Sequence, residues 1–380
     1  MNGKALFVAS MPFLNEKNIG GIAIMKRNYA LLCDTFGKTN VDVCVVNPDT
    51  EFLKKQNAVP VNWIEGNVRG LHRTVNEFMG HNYITANGEK ELKKIIKLDY
   101  SLIWLDSPQY GRFAKYIKDH CSSRVITFAH NMESDYIKIY CKPSLKKPHY
   151  YMKIRGIEYN EKCAIECSDK FICISPRDKS SYERKFGFPL DTIFPVTLSD
   201  SFKESVECSS KEPFFLFVGT YFMPNIEGVK WLAENVAPKI KNDIVVVGRN
   251  MEEILVDTLP HPPANLKVLG SVDDLSEYYS KAAAIVMPIF SGSGMKVKTA
   301  EAMMYGKPIV AADEALIGYE VEHIEGIYRC NTPQEFINAM NAVIEYKKYY
   351  FEDIRKYYLE NCNTEQLMKK AHQMINELIS

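Results

Sequence analysis

Short apolar blocks alternate with amphipathic stretches along the whole chain. In the first half, KALFVAS (4–10), VDVCVV (41–46), YSLIWLD (100–106), RVITFAH (124–130) and KFICIS (170–175) are continuous apolar runs closed by polar or small residues. Strands covered by helices on both faces of a parallel sheet look like this, because neither face is left for polar side chains. Helical spacing of apolar residues predicts helices over 22–36 and 151–168. The second half repeats the rhythm, with strands at FFLFVGT (214–220), DIVVVGR (243–249), NLKVLGS (265–271), AAAIVMPIF (282–290) and KPIVAAD (307–313). Its helices are expected over 225–240, opened by Pro224, over 273–282, opened by an acidic pair, and over 295–305. After residue 331 the pattern is wholly helical, over 333–346, 350–360 and 364–379. Strand, helix, strand order predicts two doubly wound parallel α/β domains. The polar, Ser-rich stretch 199–213 has no periodicity and is the expected linker. The expected division is a first domain over 1–198, a second over 214–345, and terminal helices over 346–380.

Composition agrees with two domains and removes several functions. At 380 residues the chain exceeds what one core usually supports. Lys plus Arg number 47 and Asp plus Glu number 47, so a generally basic nucleic-acid binder and an acidic disordered scaffold are both excluded. No run reaches the ~18 apolar residues of a membrane span. The apolar run at 4–9 reads as a first buried strand, since no small-residue cleavage site follows a long enough apolar core. Ten cysteines are scattered without a Cys-x-x-Cys. The nearest group, Cys163, Cys167 and Cys173, reads as buried free thiols in a reducing cytoplasm rather than as a metal site. There is no Asp-x-Asp and no His-x-x-x-His, so no metal is expected.

The chemistry concentrates at 286–312, VMPIFSGSGMKVKTAEAMMYGKPIVAA. Gly292 and Gly294 let backbone N–H groups approach a ligand, and a helix expected from about Met295 points its free N–H groups at the same place. Lys296 and Lys298 stand at that helix start, where cations oppose the dipole, which argues for an anionic ligand. Glu301 follows Lys298 by one turn on the same face and can accept both hydrogens of a vicinal diol. Phosphate and ribose together mean a nucleotide.

Here the sequence resembles a known family. SGSGMKVKTAEAMMYGKPIV is similar to the donor-site signature of the retaining GT-B glycosyltransferases of family 4, the glycosyl transferases group 1. FLFVGTYFMPNIEGVKWLAENVAPKI, DIVVVGRN and NLKVLGSVDDLSEYYSKAAAIVMPI follow the order and spacing of that family's C-terminal domain. The resemblance is specific over about 213–320 and looser over 1–198. It implies an α/β GT-B fold: two Rossmann-like domains facing a cleft, the last helix crossing back to the first. It implies that Glu301 binds the ribose hydroxyls and that Lys298 reaches the diphosphate, assisted by Lys296 or Arg249. Gly219 and Thr220 would border the phosphates, and Gly292, Ser293, Gly294 and Met295 would form the donor loop. Ser271, Val272 and Leu275 would line the base, although Val272 and Leu275 read equally as strand-end and helix-start packing. In the first domain, Gly20-Gly21 matches a Gly-rich turn beside the donor and reads equally as a plain helix N-terminus. His130 matches a histidine that touches the donor sugar, and it closes a strand at the edge where open parallel sheets bind ligands. Asn131 and Glu133 are weaker candidates from the same loop. The chain departs from the family in two places. Ser293 stands where a glutamate often holds the sugar, and the loop YFMPNIEG lacks the family's cations.

The expected function is transfer of a hexose from a nucleoside-diphosphate sugar, UDP being the expected nucleotide, to a glycan or lipid-linked acceptor. The resemblance implies retention of configuration, no metal or other cofactor, and a place in surface polysaccharide or glycoconjugate synthesis. A nucleotide-sugar epimerase of GT-B type and a non-catalytic GT-B partner are the alternatives. A dehydrogenase is disfavoured, since no Gly-x-Gly-x-x-Gly follows the first strand. Segment 136–155 holds six Lys or Arg, four Tyr and no acid. It reads either as contact with anionic lipid at the inner membrane face of a cytoplasmic protein or as a solvated acceptor loop.

Overall fold

The structure, a computed structural model, describes residues 3–10, 13, 21–47, 61–65, 84–140, 148–202, 212–292 and 294–380. The chain divides into two compact units, Met1–Pro195 with Leu367–Ser380, and Val196–Gln366.

The first unit is built on β1 (Ala5–Ala9), β2 (Val41–Asn47), β3 (Val61–Glu65), β4 (Leu102–Leu105), β5 (Arg124–Ala129), β6 (Lys170–Cys173) and β7 (Thr192–Ile193). These lie in the order β3-β2-β1-β4-β5-β6-β7, and every neighbouring pair is parallel. Its helices are α1 (Gly21–Phe36), α2 (Ala86–Ile96), α3 (Gly111–His120), α4 (Glu133–Tyr140), α5 (Pro148–Cys167) and α6 (Pro176–Phe186). All of β1 and β4 is buried, the outcome that their unbroken apolar runs predict.

The second unit holds β8 (Phe215–Val218), β9 (Ile244–Val247), β10 (Leu266–Gly270), β11 (Ala284–Met287), β12 (Ile309–Ala311) and β13 (Ile327–Arg329). The order is β10-β9-β8-β11-β12-β13, again wholly parallel. Its helices are α7 (Met223–Asn235), α8 (Ile254–Asp257), α9 (Leu275–Lys281), α10 (Val297–Met304), α11 (Asp313–Leu316), α12 (Pro333–Tyr346) and α13 (Glu352–Tyr357). The last helix, α14 (Thr364–Ile379), runs from residues of the second unit into the first, where His372 Nδ1 meets Thr35 Oγ1 of α1 at 2.9 Å. In both sheets the strand order reverses between the first and fourth strands, β1/β4 and β8/β11. Ligands of doubly wound sheets bind at that crevice, beyond the strands' C-terminal ends.

Several helix bounds differ from their sequence expectation. The helix expected over 225–240 stops at Asn235, because Pro238 has no N–H to continue it, and a 3-10 turn over Ala237–Lys239 follows. The helix expected from 295 begins at Val297, with Lys296 as its N-cap. Leu367–Ser380 groups with the first unit, and the residues before it, from Val196, with the second. Phe351, Ile354, Tyr358 and Cys362 are buried, Arg355 Nη1 donates to Met304 O at 2.8 Å, and these ties keep α13 in the second unit. Leu198 and Cys362 are tied by a backbone hydrogen bond of 2.9 Å, so the two chain segments leading out of the second unit run side by side.

Among the described residues no helix is long and apolar enough to cross a membrane, and no group of three His, Cys, Asp or Glu is placed to hold a metal ion. Cys163, Cys167 and Cys173 are free thiols, all raised by burial, on α5 and β6.

Candidate functional site

In the second unit, parallel strands deliver the expected donor residues to one edge of the sheet. β8 runs into Gly219 and Thr220, β9 into Gly248 and Arg249, β10 into Ser271 and Val272, and β11 into the loop that leads to α10. Close packing of backbone makes the glycines necessary. A Cβ on Gly248, whose φ is +154°, would lie 1.9 Å from Gly219 O, and one on Gly219 would lie 2.8 Å from Asn225 Cγ. Gly248→Ala must therefore spread β8 from β9 at their functional ends. Its urea midpoint is expected to fall by the equivalent of about 2–4 kcal/mol with the m-value unchanged.

Lys298 and Glu301 lie one turn apart on α10, both partly buried. Lys298 Nζ donates to Asn225 Oδ1 at 2.7 Å and sits 4.7 Å from the centroid of the Phe217 ring. Burial pushes its ammonium down to about 7, against the opposing pull of Glu301. Glu301 is raised by burial, although the Tyr279 hydroxyl donates to its Oε2 at 2.9 Å and the Lys298 charge favours ionisation. Tyr279 stacks on Tyr305 with ring centroids 5.0 Å apart, which fixes that hydroxyl. Tyr279 thus engages one oxygen of the carboxylate, Oε2.

Lys296, expected to assist Lys298, has partners of its own within the unit. Its Nζ donates to Glu314 Oε1 at 2.8 Å and to Gly294 O at 3.0 Å, so its charge is balanced within the unit and it clamps the loop. Tyr319 OH holds Lys296 O at 2.8 Å, which pins the start of α10. Gly294 has φ +65°, and Met295 is buried against Gly318, where a Cβ would meet Met295 Cγ at 2.5 Å. Gly292 has φ +154°. Arg249 and Ser271 are exposed, Val272 and Leu275 partly buried. Asp274 caps α9 by accepting from Ser276 N at 2.8 Å, so Leu275 occupies that helix's first position. Ser293 and Gly20 lie outside the described residues.

In the first unit, His130 follows β5 and Asp106 follows β4, adjacent strands in the sheet. His130 Nε2 and Asp106 Oδ2 are 2.7 Å apart. Asp106 Oδ1 accepts from Asn28 Nδ2 at 2.8 Å and from Trp104 Nε1 at 3.0 Å, and the residue is fully buried. Arg27 extends the network, bonding Asn28 Oδ1 from Nε at 3.2 Å and Pro195 O from Nη1 at 2.6 Å; burial pushes its guanidinium down to about 10. A carboxylate only accepts, so His130 carries its proton on Nε2. Nδ1 is buried and has no partner among the described residues. Asn131 gives its carbonyl to Tyr182 OH at 3.0 Å. Glu133 opens α4, is raised by burial, and accepts from Gln109 Nε2 at 2.9 Å. Gly21 is exposed, and a Cβ there would meet nothing within 4 Å, so no local packing demands glycine.

Asn225, Tyr279, Glu314, Asp106 and Asn28 all escaped the sequence reading. Only Asp106 had a local signal, as an acid closing an apolar strand at the edge where ligands bind.

Residues 212–346 match the family model described as Glycosyl transferases group 1. The match lies within Val196–Gln366 and contains every second-unit residue of the candidate site. An uncharacterized 44.6 kDa protein in the cps region of Klebsiella pneumoniae is 26% identical over 218 residues, which is 53% of this chain and 53% of that protein. The match thus spans about half the length of each. Among solved structures, sucrose-phosphate synthase from Thermosynechococcus elongatus superposes with TM-score 0.75 at 15% identity, covering 99% of both chains. HepE of Anabaena, in complex with UDP-glucose, gives TM-score 0.67 at 14% identity over 99% of this chain and 100% of its own. WaaG, a glycosyltransferase involved in lipopolysaccharide biosynthesis, gives 0.57 at 14% identity over 98% and 99%. The fold is GT-B.

Proposed function

We propose that the protein is a hexosyltransferase that uses a nucleoside-diphosphate sugar, UDP being the nucleotide, and acts in synthesis of a surface glycan. The observation that carries this reading is the pairing on α10 of a weakly compensated lysine with a carboxylate, beside Gly219 and Thr220 and at the sheet's topological switch point. A group 1 match over this segment, a UDP-glucose complex of a similar fold and a relative from a cps region support it.

In this reading Lys298 neutralises the departing diphosphate, with the N-terminus of α10 and Arg249 adding positive potential. Glu301 Oε1 accepts from a ribose hydroxyl. In the first unit, His130 presents Nδ1 to a substrate hydroxyl while Asp106 holds the ring. Transfer retains configuration: the C1–O bond to the diphosphate breaks, the acceptor oxygen bonds C1 on the same face, and the acceptor's proton passes to the leaving phosphate oxygen. No divalent ion takes part.

The test is a thermal-shift screen of UDP-, GDP- and ADP-sugars, followed by NMR of the product anomer. Specific stabilisation by one UDP-hexose, as expected for a ligand that binds only the native state, and an anomer matching the donor's are expected. Glu301→Ala should lose that stabilisation, and EDTA should leave transfer unchanged. Conversion of the donor without acceptor would identify an epimerase instead.

Contact with anionic lipid belongs to the same proposal. Tyr151, Arg155 and Tyr159 follow one another at four-residue spacing on α5, and Tyr151 and Tyr159 are exposed. Residues 141–147 of the basic segment lie outside the described residues. Flotation with anionic but not with neutral vesicles, lost in Tyr151→Ser/Arg155→Ser, is the expected result.

A further inference from the structure

We propose that Asn225 is the positioning residue for Lys298: its side-chain amide holds the ammonium, without adding a counter-charge, where the phosphates of a nucleoside diphosphate bind. The inference rests on the diphosphate reading of Lys298 above.

The geometry leaves the amide one orientation. Asn225 Nδ2 donates to Thr220 O at 2.8 Å, so Oδ1 faces the other way and receives Lys298 Nζ at 2.7 Å. Asn225 N–H donates to Phe222 O at 2.8 Å, which anchors the residue in the first turn of α7 behind Pro224. The side chain is buried, and Gly219 leaves the space that it fills. One buried amide thus ties the end of β8 to the start of α10. Residues 220–227, TYFMPNIE, contain no Lys or Arg, so the cation at this strand end reaches it from α10.

An amide here orients the ammonium and adds no counter-charge. Among the described residues, Asn225 Oδ1 is the hydrogen-bond acceptor for Nζ, and the Phe217 face is its other close neighbour. The charged groups that bear on Nζ are Glu301 on the same helix and Lys296 at its cap. Glu301 is already bonded to Tyr279 of α9, and Lys296 to Glu314 of α11. Burial outweighs the pull of Glu301 and holds Lys298 at about 7. A diphosphate supplies the missing negative charge, so its binding takes up a proton at and above neutral pH. An aspartate at 225 would supply that charge permanently and repel the phosphates.

A purely structural role for Asn225 predicts something else: lost stability with the chemistry of Lys298 unchanged. The experiment therefore reads Lys298 directly in the full-length protein. Competitive acetylation with acetic anhydride across a pH series, read by mass spectrometry, gives the titration midpoint of its amine in wild type, Asn225→Asp and Asn225→Ala. Calorimetry gives UDP affinity for the same three proteins. Asn225→Asp, nearly isosteric and able to fold where alanine fails, is expected to raise the midpoint by more than about one unit. It should also weaken UDP by at least about tenfold through like-charge repulsion. Asn225→Ala should lower the midpoint and weaken UDP. Unchanged midpoints in both folded variants overturn the proposal, whatever UDP does. Shifted midpoints in a protein that binds no UDP or UDP-sugar would uphold the control of Lys298 by Asn225 and overturn only the diphosphate reading.

Discussion

Lys298→Ala is expected to lower sugar transfer by about 10²–10³-fold, the usual loss when one preorganised group facing a developing oxyanion is removed. The loss falls mainly on kcat, because the diphosphate gains negative charge at the bridging oxygen as the glycosidic bond breaks. Nucleotide affinity drops as well, since the ground-state diphosphate is already anionic. The pH dependence follows from the ammonium, which burial depresses to about 7 in the free protein. Below that value the group is charged and contributes its full attraction. Above it the free protein holds a neutral amine and must acquire a proton on binding, so affinity falls as pH rises. The decline ends near the pKa that the bound diphosphate imposes. Lys298→Arg separates charge from titration, because a guanidinium stays protonated throughout. Its UDP affinity should be flatter above neutrality, though lower at the plateau where the longer fork no longer fits Asn225. UDP titrations of the three proteins at several pH values check this, and an equal decline in Lys298→Ala would remove Lys298 as its source.

The architecture was legible because burial on both faces writes a strand as an unbroken apolar run. KALFVAS, RVITFAH and AAAIVMPIF became β1, β5 and β11 for that reason. Short strands carry less apolar text: Thr192–Ile193 and Ile327–Arg329 are partly exposed and showed no such run. Within the site, the Gly-rich loop, Lys298 and Glu301 were legible because they sit within one strand–loop–helix unit. Their partners were not. Asn225 is 73 residues from Lys298, and only the adjacency of β8 and β11 brings α7 and α10 to the same strand ends. Lys296 shows the same limit: sequence places it beside Lys298, and only the fold shows that Glu314, 18 residues on, pairs with its Nζ. Local sequence reports which groups an element offers, while tertiary pairing decides which of them are already spent.

Asp106 offers the largest expected change in stability. Its buried carboxylate is met by Asn28, Trp104 and His130, three donors from three elements of the first unit. Asp106→Ala leaves all three without an acceptor, two of them, Asn28 and Trp104, buried, and breaking such a network costs about 3–5 kcal/mol. For a unit of this size that corresponds to a fall in Tm of roughly 6–20 °C, measured by calorimetry. The Arg27 guanidinium adds to the loss, because Asn28 is what separates it from Asp106 and holds its Nε and Nη2. Asp106→Asn should cost much less, since one amide oxygen still accepts. Its NH2 group, however, faces one of the three donors, and His130 is the partner best able to change tautomer. The ring then presents a protonated Nδ1, a donor where the wild type has an acceptor. Transfer should fall in Asp106→Asn with UDP affinity intact, because Lys298, Glu301 and Asn225 all belong to the other unit. If UDP affinity falls in parallel with transfer, the damage reaches beyond the first unit and the imidazole is not the group affected.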